Sequence, residues 1–427
     1  MTQLSHQPSA MPTPLRSRRR VASLAVGVLF LASCGESVPI SMTPELPGNT
    51  ARCTPIVVEP YSAWTPLPAA SAITVSAEVQ DARDRLLGPG ATDPAQVKVW
   101  WFGVSSFIAS AGGHLFLFDA WEVVGLHKDY VPIGREDLVA LKPEVIFIGH
   151  GHFDHAGDVG YVAGRTGAVV VGGEATCGTA RAQAARDGNE HAFECLPLGN
   201  AETPVPGSLQ QIKVWADMEP VTVLRHVHSA ADPSDLIAGG VPLVFVPELL
   251  VYLQNLNTDP QEILWFFQSL DDEAGNDPEG GTWAYHLKVG DFTLLWHDSA
   301  GPIADGKDFA AEIQCALDSF PGCVDVQIGT IVGFGALTSG LRDVGLYVRH
   351  AHPRVSLPNH HDAWLPIVGP GATAYEAQWR AEIASMPNPP ELDYLRDPQD
   401  YLRVRNWFVN DPLWKVPMPG SSCAAAS

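Results

Sequence analysis

Val145-Ile146-Phe147-Ile148-Gly149-His150-Gly151-His152-Phe153-Asp154-His155-Ala156-Gly157-Asp158 is the stretch on which the fold turns. Four consecutive apolar residues closed by glycine predict a buried strand that ends at Gly149. Four side chains able to bind a metal follow within six residues, before a helix-sized segment over 158–166. Imidazole and carboxylate suit zinc, iron or manganese. In the turn after a strand, this spacing presents His150 and His152 toward one ion and Asp154 and His155 toward a second. A lone histidine is ordinarily a surface or satisfied core residue; four ligand types in one turn point to a metal centre.

Outward from that turn, strand-like runs separated by glycines cover 97–102, 107–110, 114–119, 144–148, 168–171, 212–215, 221–225, 283–289, 292–297 and 324–328. Helix-sized segments lie at 158–166, 176–187, 307–319 and 374–385, and a short helix is expected at 79–87. Strands and helices interleave, so the fold class is α/β. No internal repeat is visible. The apolar stretch 241–267, with Leu249 to Leu253 and Ile263 to Phe267, reads as core or as a hydrophobic lid or acyl-chain wall.

The chain has 427 residues, 46% of them hydrophobic and 17% charged, which excludes a disordered or collagen-like polymer and allows one large core or two. Lys and Arg total 26 against 48 Asp and Glu, a formal charge of −22 that repels phosphate backbones, so nucleic acid is not an expected partner. Arg16, Arg18, Arg19 and Arg20 precede an apolar run from Val21 to Ala32, the layout of an export signal. A run of roughly a dozen residues is too short to span a bilayer, which takes about 20. Leu31-Ala32-Ser33-Cys34 resembles the lipobox of bacterial lipoproteins, which implies cleavage before Cys34, a lipid on that cysteine and anchoring to the cell envelope. Losing residues 1–33 leaves 22 basic and 48 acidic residues, a formal −26.

An exported chain meets an oxidising environment, and the six cysteines besides Cys34 suit disulfides. Sequence proximity pairs Cys177 with Cys195 and Cys315 with Cys323, leaving Cys53 for Cys423. Residues 34–95 are Pro-rich and read as a tether and loose lead-in. The main α/β domain is expected over 96–368. Beyond it, 369–427 reads as a helical cap, with Tyr375, Trp379 and Ile383 at helical spacing and aromatic anchors at Tyr394, Tyr401, Trp407, Phe408 and Trp414.

His150-x-His152-x-Asp154-His155 resembles the HxHxDH signature of the metallo-β-lactamase superfamily of metallohydrolases, which implies a four-layer αββα sandwich. Further pieces carry the resemblance from about Val97 to Val368. Trp101-Phe102-Gly103-Val104-Ser105-Ser106 and Leu115-Phe116-Leu117-Phe118-Asp119 are similar to the family's opening hairpin, which puts Asp119 behind the metal ligands as the acceptor of a ring N–H. In Arg225-His226-Val227-His228-Ser229 the His-Ser pair favours His228 over His226 as a ligand. Asp298 is the implied bridging carboxylate, and His297 stands where the family commonly has glycine, a departure that narrows the site or adds a hydrogen-bonding group. Pro358-Asn359-His360-His361 supplies the last ligand, His360, with His361 in reserve. The implied set is His150, His152 and His228 on one ion, Asp154, His155 and His360 on the other, and Asp298 between them.

The resemblance implies two divalent ions, Zn2+ first and Mn2+ or Fe2+ as alternatives, that activate a bridging hydroxide, with Asp154 as the catalytic carboxylate. No Gly-x-Ser-x-Gly elbow competes for the role of nucleophile. The Trp-Phe-Gly opening and Pro-x-His ending are similar to the branch with L-ascorbate-6-phosphate lactonase and N-acyl-phosphatidylethanolamine phospholipase D. That branch implies an ester, lactone or phosphodiester bond in a small-molecule or lipid-like substrate. The competing reading is a non-catalytic surface lipoprotein that binds metal or ligand on the same fold. An oxygen-reducing diiron relative would share the ligands, but the glycine-rich fingerprint of its flavin-binding partner is not apparent. His350 and His352 read as exposed loop residues or as part of the cleft lining, and His114, His127, His191 and His286 have no partner pattern.

Overall fold

Along Phe292–His297, Phe292, Leu294 and Trp296 belong to one apolar cluster and Leu295 to another. Successive side chains of a strand point to opposite faces, so this strand is buried on both sides and its sheet needs a layer against each face. The computed structural model supplies both layers. It describes residues 53–61, 64–122, 131–200, 202–232, 280–321, 324–362, 371–416 and 418. The signal segment with Cys34, the apolar stretch 241–267, His127, Cys323 and Cys423 lie outside the described residues.

The strands in chain order are β1 (Ile56–Val57), β2 (Gln96–Trp101), β3 (Phe107–Ala111), β4 (His114–Phe118), β5 (Val145–Phe147), β6 (Val169–Gly172), β7 (Cys195–Pro197), β8 (Ser208–Ile212), β9 (Val221–His226), β10 (Thr282–Val289), β11 (Phe292–His297), β12 (Val326–Thr330), β13 (Val355–Asn359), β14 (Glu391–Leu392) and β15 (Arg405–Phe408). The helices are α1 (Ala77–Leu87), α2 (Arg135–Leu141), α3 (Phe153–Ala156), α4 (Val159–Thr166), α5 (Glu174–Ala185), α6 (Ala310–Asp318), α7 (Ala336–Ser339), α8 (Arg342–Ala351) and α9 (Thr373–Ala384). One sheet has the order β15-β2-β3-β4-β5-β6-β7 and the other β1-β8-β9-β10-β11-β12-β13-β14. The sheets face each other across an aromatic core: Phe118 stacks on Trp296 with centroids 4.7 Å apart, and Phe147 packs on Tyr285 at 4.9 Å. The Tyr285 hydroxyl donates to Ile148 O at 2.8 Å, so the polar tip of a buried ring is satisfied by the opposite sheet. Helices α1, α2, α4 and α5 pack on one another outside the first sheet, while α6 and α8 cover the second and α9 joins α8. This is the expected four-layer αββα order. Among the described residues, no helix is long and apolar enough to cross a membrane.

Two regions differ from the sequence-based expectation. Cys177 pairs with Cys195, but Cys315 is bonded to Cys53 across 262 residues, which replaces both the Cys315–Cys323 and the Cys53–Cys423 pairings. Proximity in sequence misled because β1 runs parallel to β8 and α6 packs on β8, which brings Cys53 beside Cys315. The lead-in is accordingly fastened rather than loose: Arg83 of α1 donates to Leu141 O at 3.0 Å and Lys142 O at 3.1 Å, capping the C-terminus of α2. The C-terminal stretch supplies more than a helix. After α9, which buries Tyr375, Trp379 and Ile383, β14 extends one sheet beside β13 and β15 extends the other beside β2. Two residues are too few for β14 to display a period, and β15 alternates in burial but with Arg405 among its inward residues and Phe408 among its outward ones, which hides the apolar pattern.

His114, without a partner pattern in sequence, is buried at the start of β4, with Nδ1 2.6 Å from Glu144 Oε2 and Nε2 2.9 Å from Asp217 Oδ1. Burial works to lower its pKa, but the hydrogen bonds and charges of Glu144 and Asp217 outweigh it and hold the pKa above the ordinary 6.5. A folded-state pKa raised in this way contributes stability that is fully present below the unfolded value and fades as pH rises through the folded one. His114→Gln is therefore expected to lower the melting temperature more at pH 5.5 than at pH 9; an equal loss at both would remove the imidazolium from the account.

Candidate metal centre

Strands β4, β5, β9, β11 and β13 all run in the same direction, judged within each sheet, and the residues after their C-terminal ends meet along one edge of the sandwich. Asp119 follows β4, the 150–155 turn follows β5, His228 follows β9, Asp298 follows β11 and His360 follows β13. His152 is the N-cap of α3, with its carbonyl accepting from His155 N–H at 3.0 Å and Ala156 N–H at 2.8 Å. One helical turn carries Asp154 to the His360 side, while the His155 ring stays 4.1 Å from that of His150, closer than the 4.6 Å between His150 and His152, so the expected separation into two pairs is incomplete and His155 stands between them. Gly149 makes the close approach possible: a Cβ there would lie 2.0 Å from Asp298 Cγ.

Among the described residues, three groups of donor atoms result, each sharing a residue with the next: His150, His152 and His228; His150, His155 and Asp298; and Asp154, His155 and His360. In the last, His155 Nε2 lies 3.4 Å from Asp154 Oδ2 and 3.3 Å from His360 Nε2, which lies 3.3 Å from Asp154 Oδ2. Two donors at 2.0–2.1 Å from one tetrahedral ion stand about 3.3 Å apart, so these three atoms are spaced as the edges of a cation cage. The second group is tighter, with Asp298 Oδ2 2.7 Å from His150 Nδ1 and 3.4 Å from His155 Nδ1. In the first group, the His228 ring centroid lies 4.5 Å from that of His150 and 4.6 Å from that of His152. Asp298 Oδ1 is buried and accepts no hydrogen bond, a costly state for a carboxylate oxygen unless a cation meets it. The donor set fits divalent metal.

Behind the donors, Asp119 Oδ2 lies 2.8 Å from His155 Nδ1 and accepts from Ser105 Oγ at 2.5 Å, and Asp119 Oδ1 accepts from Gly149 N–H at 3.2 Å. With its Nδ1 proton held by Asp119, the His155 ring presents Nε2 toward Asp154 and His360, where a cation would take the place of the Nε2 proton. Asp119, at φ 55°, and His360, at φ 60°, occupy the left-handed region, as does Val104 at φ 51°. Such backbone costs of order 1–3 kcal/mol per residue and persists where surroundings over-determine it. Here Val104 O accepts from His360 N–H at 2.8 Å and from Trp101 Nε1–H at 3.0 Å, while Val104 N–H donates to Asp362 at 3.1 Å. Tyr401, from the C-terminal stretch, donates its hydroxyl to the same Asp362. Burial, then the charge of Asp397, pushes the Asp362 carboxyl up to about 7.

The electrostatics also suit cations. Burial and then neighbouring imidazoles hold His150 and His228 well below the ordinary histidine value; burial also lowers His152. For Asp154 burial opposes ionisation, but His155 and His360 outweigh it and hold the carboxyl well below its usual range. At neutral pH these are neutral imidazoles and an ionised carboxylate, the forms that metals take. His155 is the exception: burial opposes its charge, yet Asp154, Asp298 and Asp119 raise its pKa well above the ordinary value. Three carboxylates thus converge on a position that attracts positive charge. Burial and the charge of Asp298 push Asp119 up to about 7 against the opposing pull of His155.

The seven residues named from sequence are therefore together, with Asp119 behind them. The reserves are elsewhere: His226 is buried with Nδ1 3.1 Å from the Tyr347 hydroxyl, and His361 lies 2.9 Å from Leu395 O and stacks on Trp101. His297 does not line the donor cluster; its Nδ1 meets Ser299 O at 2.8 Å, its Nε2 lies 2.9 Å from the Gln327 amide nitrogen, and it fills the space that Gly329 leaves. His350 and His352 both pair with Asp318. Ser105, Asp362 and Tyr401 were missed as supporting residues. Ser105 was within reach, lying in the Trp-Phe-Gly-Val-Ser-Ser run, whereas Asp362 and Tyr401 meet only through tertiary packing.

Residues 99–222 match the family model of the Metallo-beta-lactamase superfamily. A UPF0173 metal-dependent hydrolase of Pyrobaculum islandicum is 36% identical over 76 residues, 18% of this chain and 32% of that one, so the chain spans about a third of the length of that relative. A UPF0173 metal-dependent hydrolase of Anaeromyxobacter dehalogenans strain 2CP-1 is 30% identical over 280 residues, covering 64% of this chain and 78% of its own. Among solved structures, Igni18, described as a novel metallo hydrolase from Ignicoccus hospitalis, superposes with TM-score 0.42 at 14% identity, covering 73% of this chain and 98% of that one. The metallo-beta-lactamase fold protein YhfI from Bacillus subtilis gives 0.40 at 12% identity, over 73% and 100% of the two chains. With the signature turn, the two-sheet sandwich and the length of the Anaeromyxobacter match in agreement, the chain belongs to the metallo-beta-lactamase superfamily, among the UPF0173 metal-dependent hydrolases.

Proposed function

We propose that the chain hydrolyses an ester, lactone or phosphodiester bond at two divalent cations, Zn2+ in the first instance, while tethered to the bacterial cell envelope by a lipid on Cys34. The observation that carries the hydrolase reading is the mutual 3.3–3.4 Å spacing of Asp154, His155 and His360, a group that shares His155 with a second, which in turn shares His150 with the third. Divalent ions held by these donors supply Lewis acidity toward a carbonyl or phosphoryl oxygen and acidify water. The chain's own residues do the rest. Asp119 and Ser105 fix the His155 ring, and Asp298 links the two halves of the donor cluster. Asp154 is the ionised carboxylate placed to take up and return a proton as the bond breaks. His150, His155 and Asp298 are buried while His152 and His228 are only partly so, which sets the approach to the centre on the His152 and His228 side.

The test is metal removal. The protein as purified is expected to carry about two ions per chain, to hydrolyse at least one generic ester, lactone or phosphodiester substrate, to lose that activity on chelation and to regain it with added ion. Two ions without turnover of any of the three bond classes would favour the non-catalytic metal-binding reading. The tether rests on the 31–34 motif and the basic-apolar segment before it. Cys34→Ser is expected to move the protein from the membrane fraction to the soluble one, and unchanged fractionation rejects the tether.

A further inference from the structure

We infer that Phe334 is a specificity wall beside the metal centre, and that the substrate carries an apolar group, aryl or alkyl, next to the bond that is cut; this rests on the hydrolase reading above. Phe334 is 59% exposed, and Leu337, a turn later, is 43% exposed. A single exposed apolar residue on a soluble protein is ordinary. What sets Phe334 apart is where it stands and how firmly it is held. Its ring centroid lies 6.1 Å from that of His228, on the side where the donor cluster is only partly buried.

The loop that carries it is pinned to the donor-bearing segments. Phe334 N–H donates to Ser229 Oγ at 2.9 Å, and Ser229 N–H donates to Ser299 Oγ at 3.0 Å. Ser229 follows His228 and Ser299 follows Asp298, so two hydroxyls tie the Phe334 backbone to the residues next to two of the proposed ligands. Gly333 permits the approach, since a Cβ there would lie 2.4 Å from Ser229 Oγ. Ile331 N–H donates to Asn359 O at 3.1 Å, which anchors the start of the loop to the residue before His360. A residue needed only for packing would turn its ring inward. Held by backbone bonds with the ring in water, Phe334 offers an apolar face to whatever sits on the His152 and His228 side, and an apolar substituent is the chemistry that gains from covering it.

Calorimetry on the metal-loaded protein with phenylphosphonate and methylphosphonate, which are not turned over, tests the wall apart from catalysis. Wild type is expected to prefer the phenyl compound, Phe334→Ala to lose that preference by about tenfold, and Phe334→Tyr to keep it. The same pattern is expected in the kcat/KM ratio of γ-decalactone to γ-butyrolactone. Equal preference in wild type and Phe334→Ala, or no binding of either phosphonate, overturns the wall. A Phe334-dependent phosphonate preference in a protein that turns over nothing leaves the wall standing and sinks the hydrolase reading. Turnover with a ratio indifferent to residue 334 does the reverse.

Discussion

Asp154→Ala and His152→Ala are each expected to lower turnover by at least about a thousandfold; metal-free His152→Ala is expected to melt close to metal-free wild type, and metal-free Asp154→Ala to fold but melt lower, because it loses the ion pairs with His155 and His360. The two expectations have separate physical sources. Neither side chain belongs to an apolar cluster, so neither holds the sandwich together. Both contribute donor atoms: His152 to the group with His150 and His228, and Asp154 to the group with His155 and His360. A ligand that binds only the folded state stabilises it, by about 2.7 kcal/mol at a hundred times its dissociation constant. Wild type is therefore expected to melt several degrees higher with added Zn2+, and each variant to show a smaller rise. Melting curves with and without ion, run beside the hydrolysis assay, check both halves. A variant that keeps full turnover at normal metal loading would remove its residue from the mechanism. A variant that unfolds without metal would show instead that the side chain is structural.

The 145–158 stretch predicted its own structure because it is local: an apolar strand, a glycine, and ligands within one turn of helix. His228, Asp298 and His360 were reached through resemblance, and the structure explains why they converge, each following a strand that runs in the same direction as β5 or as its counterparts in the facing sheet. The choice of His228 over His226 turns on where β9 ends rather than on strand alternation. His226 closes β9 and points to Tyr347, whereas His228, two residues beyond the strand, reaches the donor cluster. What sequence did not reveal is non-local. The Cys53–Cys315 bond depends on β1 pairing with β8, and the edge strand β15 pairs with β2 across about three hundred residues. The link from Tyr401 through Asp362 to Val104 likewise joins three segments with no shared pattern. Such contacts have no periodic signature to read, because each depends on a register that only the assembled sheets define.

Gly149→Ala is expected to disable the centre while altering a residue that donates nothing to it. The added methyl would lie 2.0 Å from Asp298 Cγ and 2.1 Å from Asp298 Oδ1, far inside the 3.5–4.0 Å of ordinary carbon contact. Either the β5 turn or the carboxylate must move. The turn is held on both sides, by Gly149 N–H on Asp119 Oδ1 and by Trp283 N–H on Gly149 O, so the shorter path is for Asp298 to leave His150 and His155. Displacing a residue that orders donors costs roughly 10–100-fold in metal affinity, and displacing a carboxylate that is itself one of the grouped donor atoms lies at the upper end or beyond. Activity and metal affinity are expected to fall together. The route of the effect is open to a double-mutant cycle, since contacting residues are non-additive. In an Asp298→Ala background the carboxyl group is gone, and adding Gly149→Ala is expected to cost far less thermal stability than it does in wild type. If the methyl costs as much in both backgrounds, the clash is with the turn itself, and Gly149 is a requirement of the backbone rather than of the carboxylate beside it.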